Sequence, residues 1–305
     1  MAKSKSKLPK SLIHEFVDAA HYDAEVPKLD AMLKKHPALL TANRGGSDPE
    51  NAMGAALHMR ATKVIDFLVS KGAEVDAFVA CALGQKKKVK AMLADNPKLA
   101  TASNKHSHGI PIIGFAANPA ICELLIDHGH PVDIVAAARY GLVKRVKQFL
   151  ADDPDSVYET DERQQTALHH SILCAHDSIS KLLIDADADV DATDFRNATP
   201  LTNACQYGRH KVAKWILEYD INMNNKAYSD EWSYLHLCCY WKSRSSRLTP
   251  AEYEAAIHKI IRMLIKEGID CDLKCKKGKT ALDYCNEKDL PERAALIQKL
   301  SPTAR

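Results

Sequence analysis

Two H-x-H pairs, His106 with His108 and His128 with His130, are the side chains in this sequence best suited to hold a metal. Imidazole is the commonest metal ligand, and histidine-rich tracts justify the question. Their spacing matches no known ligand signature, so they are read as exposed polar loop residues and no metal or cofactor is expected. Cys271 and Cys275, with Cys285 beyond, invite a zinc reading, but C-x3-C without a matched second pair is weak. Lys86, Lys87 and Lys88 with Lys90 form one basic spot, too small by itself for a nucleic-acid track. No G-x-S-x-G, H-E-x-x-H, P-loop or dinucleotide fingerprint occurs, and no enzyme is expected.

The elements that must position these side chains repeat. Gln165-Thr166-Ala167-Leu168-His169 opens one stretch and Ala198-Thr199-Pro200-Leu201-Thr202 opens the next. Lys181-Leu182-Leu183-Ile184 leads into Asp187-Ala188-Asp189-Val190-Asp191. Lys214-Trp215-Ile216-Leu217 leads into Asp220-Ile221-Asn222-Met223-Asn224. Thr at the head of each opening can cap a helix, and Ala or Pro at the first helical position suits the donor left unused there. The apolar residues recur at helical spacing, and one unit cannot cover them alone; stacked neighbours would.

These offsets, with a period of about 33 residues, closely resemble the ankyrin repeat, whose pattern is T-P-L-H-x-A, a Gly-bearing turn, V-x-x-L-L and G-A-D-V-N. The resemblance implies an all-α, ankyrin-repeat α-solenoid of about nine helix-turn-helix units with short β-hairpin loops. It also implies that His169 and His236 bond the neighbouring turn and are not catalytic. Against the repeat frame Cys81, Cys205 and Cys239 fall on a buried small-residue slot, as do Cys238 and Cys285. Cys is small and buries well, so the nine cysteines suit a reduced, cytoplasmic chain better than a disulfide framework.

Composition sets further bounds. The net charge of +3 is too small to imply nucleic acid, and aromatics are only 6% of residues, which suits helices packed through Ala and Leu. The longest uncharged apolar run, Gly109 to Cys122, is too short to span a membrane and is broken by Pro111 and Pro119. No signal-peptide core is visible in Ser11–Phe16.

In chain order, residues 1–11 read as a disordered basic tail and 12–300 as a single ankyrin-repeat solenoid, followed by a tail over 301–305. Units are placed at about 12–42, 50–75, 76–104, 109–132, 133–160, 165–193, 198–226, 232–274 and 279–300. The first half, 12–160, looks like a doubled module whose alternate units end His36-Pro37, Asn96-Pro97 and Asp153-Pro154. The second half, 165–300, is more regular. Its eighth unit carries an insertion over 242–256, with the basic stretch Lys242–Arg247 and then Thr249-Pro250-Ala251-Glu252, a capping-box start for a lengthened helix. The last helix, from Pro291, is expected to present a charged outer face as a cap.

A binding site follows from the resemblance. In family members the hairpin tips and the ends of the first helices meet the partner. Here those slots hold Arg139, Tyr140, Arg163, Phe195, Arg196, Gln206, Tyr207, Tyr228, Trp232, Tyr240 and Trp241. Tyr, Trp and Arg anchor interfaces most often, and the fold does not require them there. The expected function is a non-enzymatic scaffold, monomeric and cytoplasmic, that binds another protein on this face and touches no membrane. One alternative is nucleic-acid or anionic-surface binding through Lys86–Lys90, Arg139, Lys144, Arg145 and the 242–247 loop. Another is a secreted effector or a toxin-neutralising partner.

Overall fold

Capping residues alternate with short apolar stretches along the sequence, and short helices in consecutive pairs are the result. The computed structural model describes residues 8–45, 49–241 and 248–301. The chain divides into two compact units, Met1–Pro131 and Val132–Arg305.

In the first unit α1 (Lys10–Ala19) pairs with α2 (Val26–Lys35), α3 (Ala52–Met59) with α4 (Thr62–Ser70), and α5 (Ala77–Ala82) with α6 (Lys86–Asp95). Helix α7 (Pro119–Asp127) follows a 3-10 turn over Ile112–Phe115. Pro119 holds Asn118 in an extended conformation, and the stretch after Pro111 forms only the 3-10 turn before it. The starts are capped: Asn51 Oδ1 accepts the Gly54 N–H at 2.7 Å, Asp76 Oδ1 that of Val79 at 2.9 Å, and Asn118 Oδ1 that of Ile121 at 3.2 Å. Ahead of the fourth pair β1 (Ser103–Asn104) runs antiparallel to β2 (Ile110–Pro111).

In the second unit α8 (Ile134–Arg139) pairs with α9 (Val143–Asp152), α10 (Ala167–Leu173) with α11 (Asp177–Ile184), and α12 (Pro200–Tyr207) with α13 (His210–Ile216). Helix α14 (Tyr234–Tyr240) pairs with the long α15 (Pro250–Lys266), and α16 (Ala281–Glu287) with α17 (Pro291–Leu300). The first helices stack in the order α8, α10, α12, α14, α16, and the second helices form a parallel row, α9, α11, α13, α15, α17. Ala137, Ala138, Ala204, Cys205, Cys238 and Cys239 lie fully buried in the first row, where small side chains let helices approach. Thr166, Thr199, Thr249 and Thr280 each cap the following helix in a capping box. Gly208 closes α12 at φ +67°, and a Cβ there would lie 3.1 Å from the Tyr253 ring.

The His36-Pro37, Asn96-Pro97 and Asp153-Pro154 steps each end a helix and start a 3-10 turn, because a residue before proline is pushed out of the helical region. Helix α15 has 17 residues and opens on the Thr249–Glu252 box. The preceding Lys242–Arg247 stretch lies outside the described residues, as do most of the N-terminal tail and the last residues of the chain. Among the described residues no helix is long and apolar enough to cross a membrane.

One sequence expectation fails in α17. Arg293, read as part of a charged outer face, is fully buried. Its guanidinium donates from Nε to Glu254 Oε1 at 2.8 Å and from Nη2 to Glu254 Oε2. Nη1 reaches the carbonyls of Cys238 at 2.6 Å and Trp241 at 2.7 Å. Those carbonyls end α14, where no further turn of helix can bond them, so the fork supplies the missing donors.

Candidate functional site

The predicted partner-binding residues all lie in the second unit, on hairpin fingers and helix ends. The fingers are built by short polar side chains. Asp161 Oδ1 accepts from the N–H groups of Arg163 and Gln165, and Asp194 Oδ1 from those of Arg196 and Ala198. Adjacent fingers then bond to one another through the backbone. Phe195 N donates to Arg163 O at 3.1 Å, Tyr228 N to Arg196 O at 2.8 Å, and Lys276 N to Asp230 O at 2.9 Å.

Six of the eleven residues come together around a groove of about 230 Å³: Arg196, Gln206, Tyr207, Tyr228, Trp232 and Trp241. The Arg196 guanidinium lies 5.2 Å from the ring centres of both Phe195 and Tyr228, a cation–π pair on each side. The Tyr228 hydroxyl donates to Gln206 Oε1 at 2.9 Å, while the Gln206 carbonyl accepts from the Tyr253 hydroxyl at 2.9 Å. These contacts fix the groove's polar floor. Sequence reasoning missed Leu173, Asn203 and Asp230, which also line it. Asn203 is buried, and its Nδ2 has no hydrogen-bond partner among the described residues.

The other five residues stand outside the groove. Arg139 and Arg163 are exposed, Tyr140 is half-buried, and Phe195 is exposed beside Arg196. Tyr240 packs on Trp232, Trp241 and Tyr284. Trp232 corrects its expectation in part. Only 7% exposed, it is packed among Tyr228, Tyr240 and Tyr284, so most of its indole supports the groove from below.

The histidine pairs do not meet. His106 Nδ1 donates to Pro49 O at 2.7 Å, His128 Nδ1 to Leu124 O at 2.8 Å within its own helix, and His130 Nδ1 to Ala100 O at 2.7 Å. His108 Nε2 lies 3.5 Å from Glu50 Oε1. Cys271 and Cys275 are buried thiols bonded to Ile269 O and the Tyr284 hydroxyl. Burial pushes the Cys81 and Cys122 thiols up to about 12 and about 11, so neither is a thiolate at neutral pH. Lys86, Lys87, Lys88 and Lys90 are exposed on α6, in the first unit. In the second unit Arg139 and Lys144 are exposed and Arg145 is half-buried.

His169 and His236 carry the same device twice. His169 Nε2 donates to Ala198 O at 3.0 Å while Nδ1 accepts from the Thr166 N–H at 3.2 Å. His236 Nε2 donates to Lys279 O at 2.9 Å while Nδ1 accepts from the Ser233 N–H at 3.3 Å. Each ring ties the start of one helix to the finger that leads to the next pair. The family model for ankyrin repeats, in three copies, matches residues 134–227 and so covers the Thr166 and Thr199 units. The chain carries ankyrin repeats.

Its relatives share that part. The chain is 27% identical over 146 residues to the "Probable E3 ubiquitin-protein ligase XBOS32" of Oryza sativa subsp. japonica, covering 46% of this chain and 29% of the relative. It is 28% identical over 153 residues to a "Transient receptor potential cation channel subfamily A member 1 homolog" of Caenorhabditis elegans, covering 50% and 11%. It is also 29% identical over 122 residues to the "E3 ubiquitin-protein ligase XBAT32" of Arabidopsis thaliana, covering 39% and 24%. The ankyrin chain thus spans less than a third of each of these relatives, and ligase and channel are names of those larger proteins.

The ankyrin histidines also set a pH dependence. Burial lowers the pKa of His169, His170 and His236 below the ordinary 6.5, against the upward pull of their carbonyl or carboxylate partners. A lowered value in the fold means that the unfolded chain takes up protons first as pH falls. Their contribution is therefore complete above pH 6.5 and is lost as pH drops from there through the folded values. The melting temperature should fall between pH 7.5 and pH 5. A His169→Leu/His236→Leu variant should melt lower at pH 7.5 but with a flatter slope. An unchanged slope would remove these rings as its source.

Proposed function

We propose that this ankyrin protein is a non-enzymatic interaction module that binds another protein in the groove between Arg196, Tyr207 and Trp241. Ankyrin repeats generally mediate protein–protein contacts, and the observation that carries the reading to this place is the groove's composition. It combines half-buried Tyr207, Tyr228 and Trp241, an Arg held by two aromatic rings, and the buried Asn203 amide that still offers a donor. Large amphipathic side chains in a preformed recess are what interface anchors are made of. We read the consecutive helix pairs as nine repeat units, counting the 3-10 turn with α7 as the fourth. The nine free cysteines suit a reducing compartment such as the cytoplasm. Delivery into another cell and neutralisation of a toxin remain the alternative settings.

The test compares groove variants with the parent. Tyr207→Ala and Arg196→Glu should each weaken binding of the partner captured from the native host by about 2 kcal/mol, some thirtyfold, with little change in melting temperature. An Arg163→Glu variant, outside the groove, should bind more nearly as the parent does. Parental affinity in both groove variants would place the partner elsewhere on the chain. A gel shift with DNA or RNA that weakens steeply with salt would instead favour the lysine-rich surfaces.

A further inference from the structure

Three histidines distant in sequence surround one buried carboxylate in the first unit. Glu50 has only 2% of its side chain exposed. Its Oε1 lies 3.5 Å from His21 Nε2, 3.9 Å from His58 Nδ1 and 3.5 Å from His108 Nε2. The donor atoms of His21, Glu50 and His58 all lie within 4.8 Å of one another. The His58 and His108 rings meet edge to face with centres 4.8 Å apart.

These separations are informative. An N–H···O hydrogen bond prefers about 2.7–3.2 Å, so 3.5–3.9 Å is too long for good bonds to this oxygen. A tetrahedral ion with ligand bonds of about 2.0–2.1 Å places its donors about 3.3–3.5 Å apart, close to the 3.5–3.9 Å between Glu50 Oε1 and each of the three imidazole nitrogens.

Other contacts hold the donors in place. His21 Nδ1 donates to Asp18 O at 3.2 Å, which leaves Nε2 directed at Glu50. A ring N–H given to a backbone carbonyl is the usual support of a ligating histidine. Arg44 Nη1 holds Glu50 Oε2 at 3.0 Å, and its Nη2 contacts Asp18. The Arg44 guanidinium thus faces both Glu50 and Asp18. The loop bearing His108 is pinned to α3: Ser107 Oγ donates to Gly54 O at 2.7 Å, and His106 reaches Pro49 O. His108 itself adopts a left-handed backbone at φ 52°, a conformation uncommon outside glycine.

The geometry points to a divalent-cation site of the zinc class, with His21 Nε2, His58 Nδ1, His108 Nε2 and Glu50 Oε1 as ligands. Three neutral imidazoles and one carboxylate suit Zn2+, Co2+ or Ni2+ and do not suit Mg2+ or Ca2+, which prefer oxygen. The side chains of His58 and His108 are 38% and 53% exposed, so the ion has a path from solvent. The site joins the turn after α1, the segment before α3, α3 itself and the β1–β2 loop, so a bound ion would brace four parts of the first unit.

The test titrates the full chain, without a polyhistidine tag, with Zn2+ by calorimetry and with Co2+ by visible absorption. One ion per chain is expected, with Kd of about 10 μM or tighter and a rise in melting temperature. In the His58→Ala/His108→Ala variant affinity should fall at least a hundredfold. His128→Ala and His258→Ala should bind as the parent does; the latter removes the other His/carboxylate group, with Glu254 and Glu292. No uptake by the folded parent below 1 mM Zn2+ overturns the proposal, as does parental affinity in the double variant. If that variant fails to fold, His108→Ala alone decides: a loss of at least tenfold with an altered Co2+ spectrum supports the site, and parental binding and spectrum overturn it.

Discussion

Replacing Arg293 with alanine should cost about 3 kcal/mol of stability, the largest effect expected from a single side chain outside the hydrophobic core. Breaking a buried ion pair commonly costs about 3–5 kcal/mol, because the remaining charge stays behind unpaired. Glu254 keeps some contact with water, its side chain being 27% exposed, which favours the lower end of that range. The loss of donors to Cys238 O and Trp241 O acts in the other direction. Arg293→Lys should recover only part, since one ammonium cannot match a fork that reaches a carboxylate and two carbonyls. Arg293→Met with Glu254→Gln should lose less than Arg293→Ala does alone, having no stranded charge. Urea unfolding would measure this as a lower midpoint at constant slope. A shift under about 0.5 kcal/mol for Arg293→Ala would show that water replaces the guanidinium without loss.

Gly54→Ala is the second large effect. In most helices this change stabilises by up to about 1 kcal/mol, because glycine is the poorer helix former. Here an added Cβ would stand 1.9 Å from the His106 carbonyl oxygen and 2.7 Å from its carbon. Both are backbone atoms, so no side chain can swing aside and the β1–β2 loop must lift away from α3. Overpacking of this kind costs about 1–3 kcal/mol, occasionally more, and the Ser107 bond to Gly54 O is strained as well. A net loss of about 2 kcal/mol is expected. The variant should also lose Zn2+ affinity, since His108 moves with the loop. Parental stability would mean that the loop does not rest on α3 in solution.

What could be read from sequence was what repeats locally. Thr166, Thr199 and Thr280, each a few residues ahead of an apolar helical stretch, announce their caps, and the Pro steps announce where helices stop. The groove was half legible, because slots in a repeat frame can be compared: Arg196, Tyr207 and Tyr228 stand out against a chain poor in aromatics. Trp232 was misjudged because Tyr284, which covers it, arrives from the next unit at a distance no local pattern encodes. Arg293 was misjudged for a similar reason. Its neighbours Glu292 and Lys299 are surface charges, and its partner Glu254 is 39 residues away. The histidines show the limit most clearly. Pairing by proximity joined His106 to His108 and His128 to His130, yet the ring that turns to Glu50 does so from a left-handed loop residue, toward partners at positions 21 and 58.

The finger-to-finger backbone bonds have an evolutionary consequence. Three successive fingers in the second unit each donate to the one before, Phe195 to Arg163, Tyr228 to Arg196 and Lys276 to Asp230. An added or deleted residue in any of them would misalign two sets of bonds at once. The paired helices of a unit are not tied in this way, and there α15 extends to 17 residues. Lineages of this protein should therefore gain and lose residues on that side while finger lengths stay fixed, so the groove can change its side chains without changing its spacing.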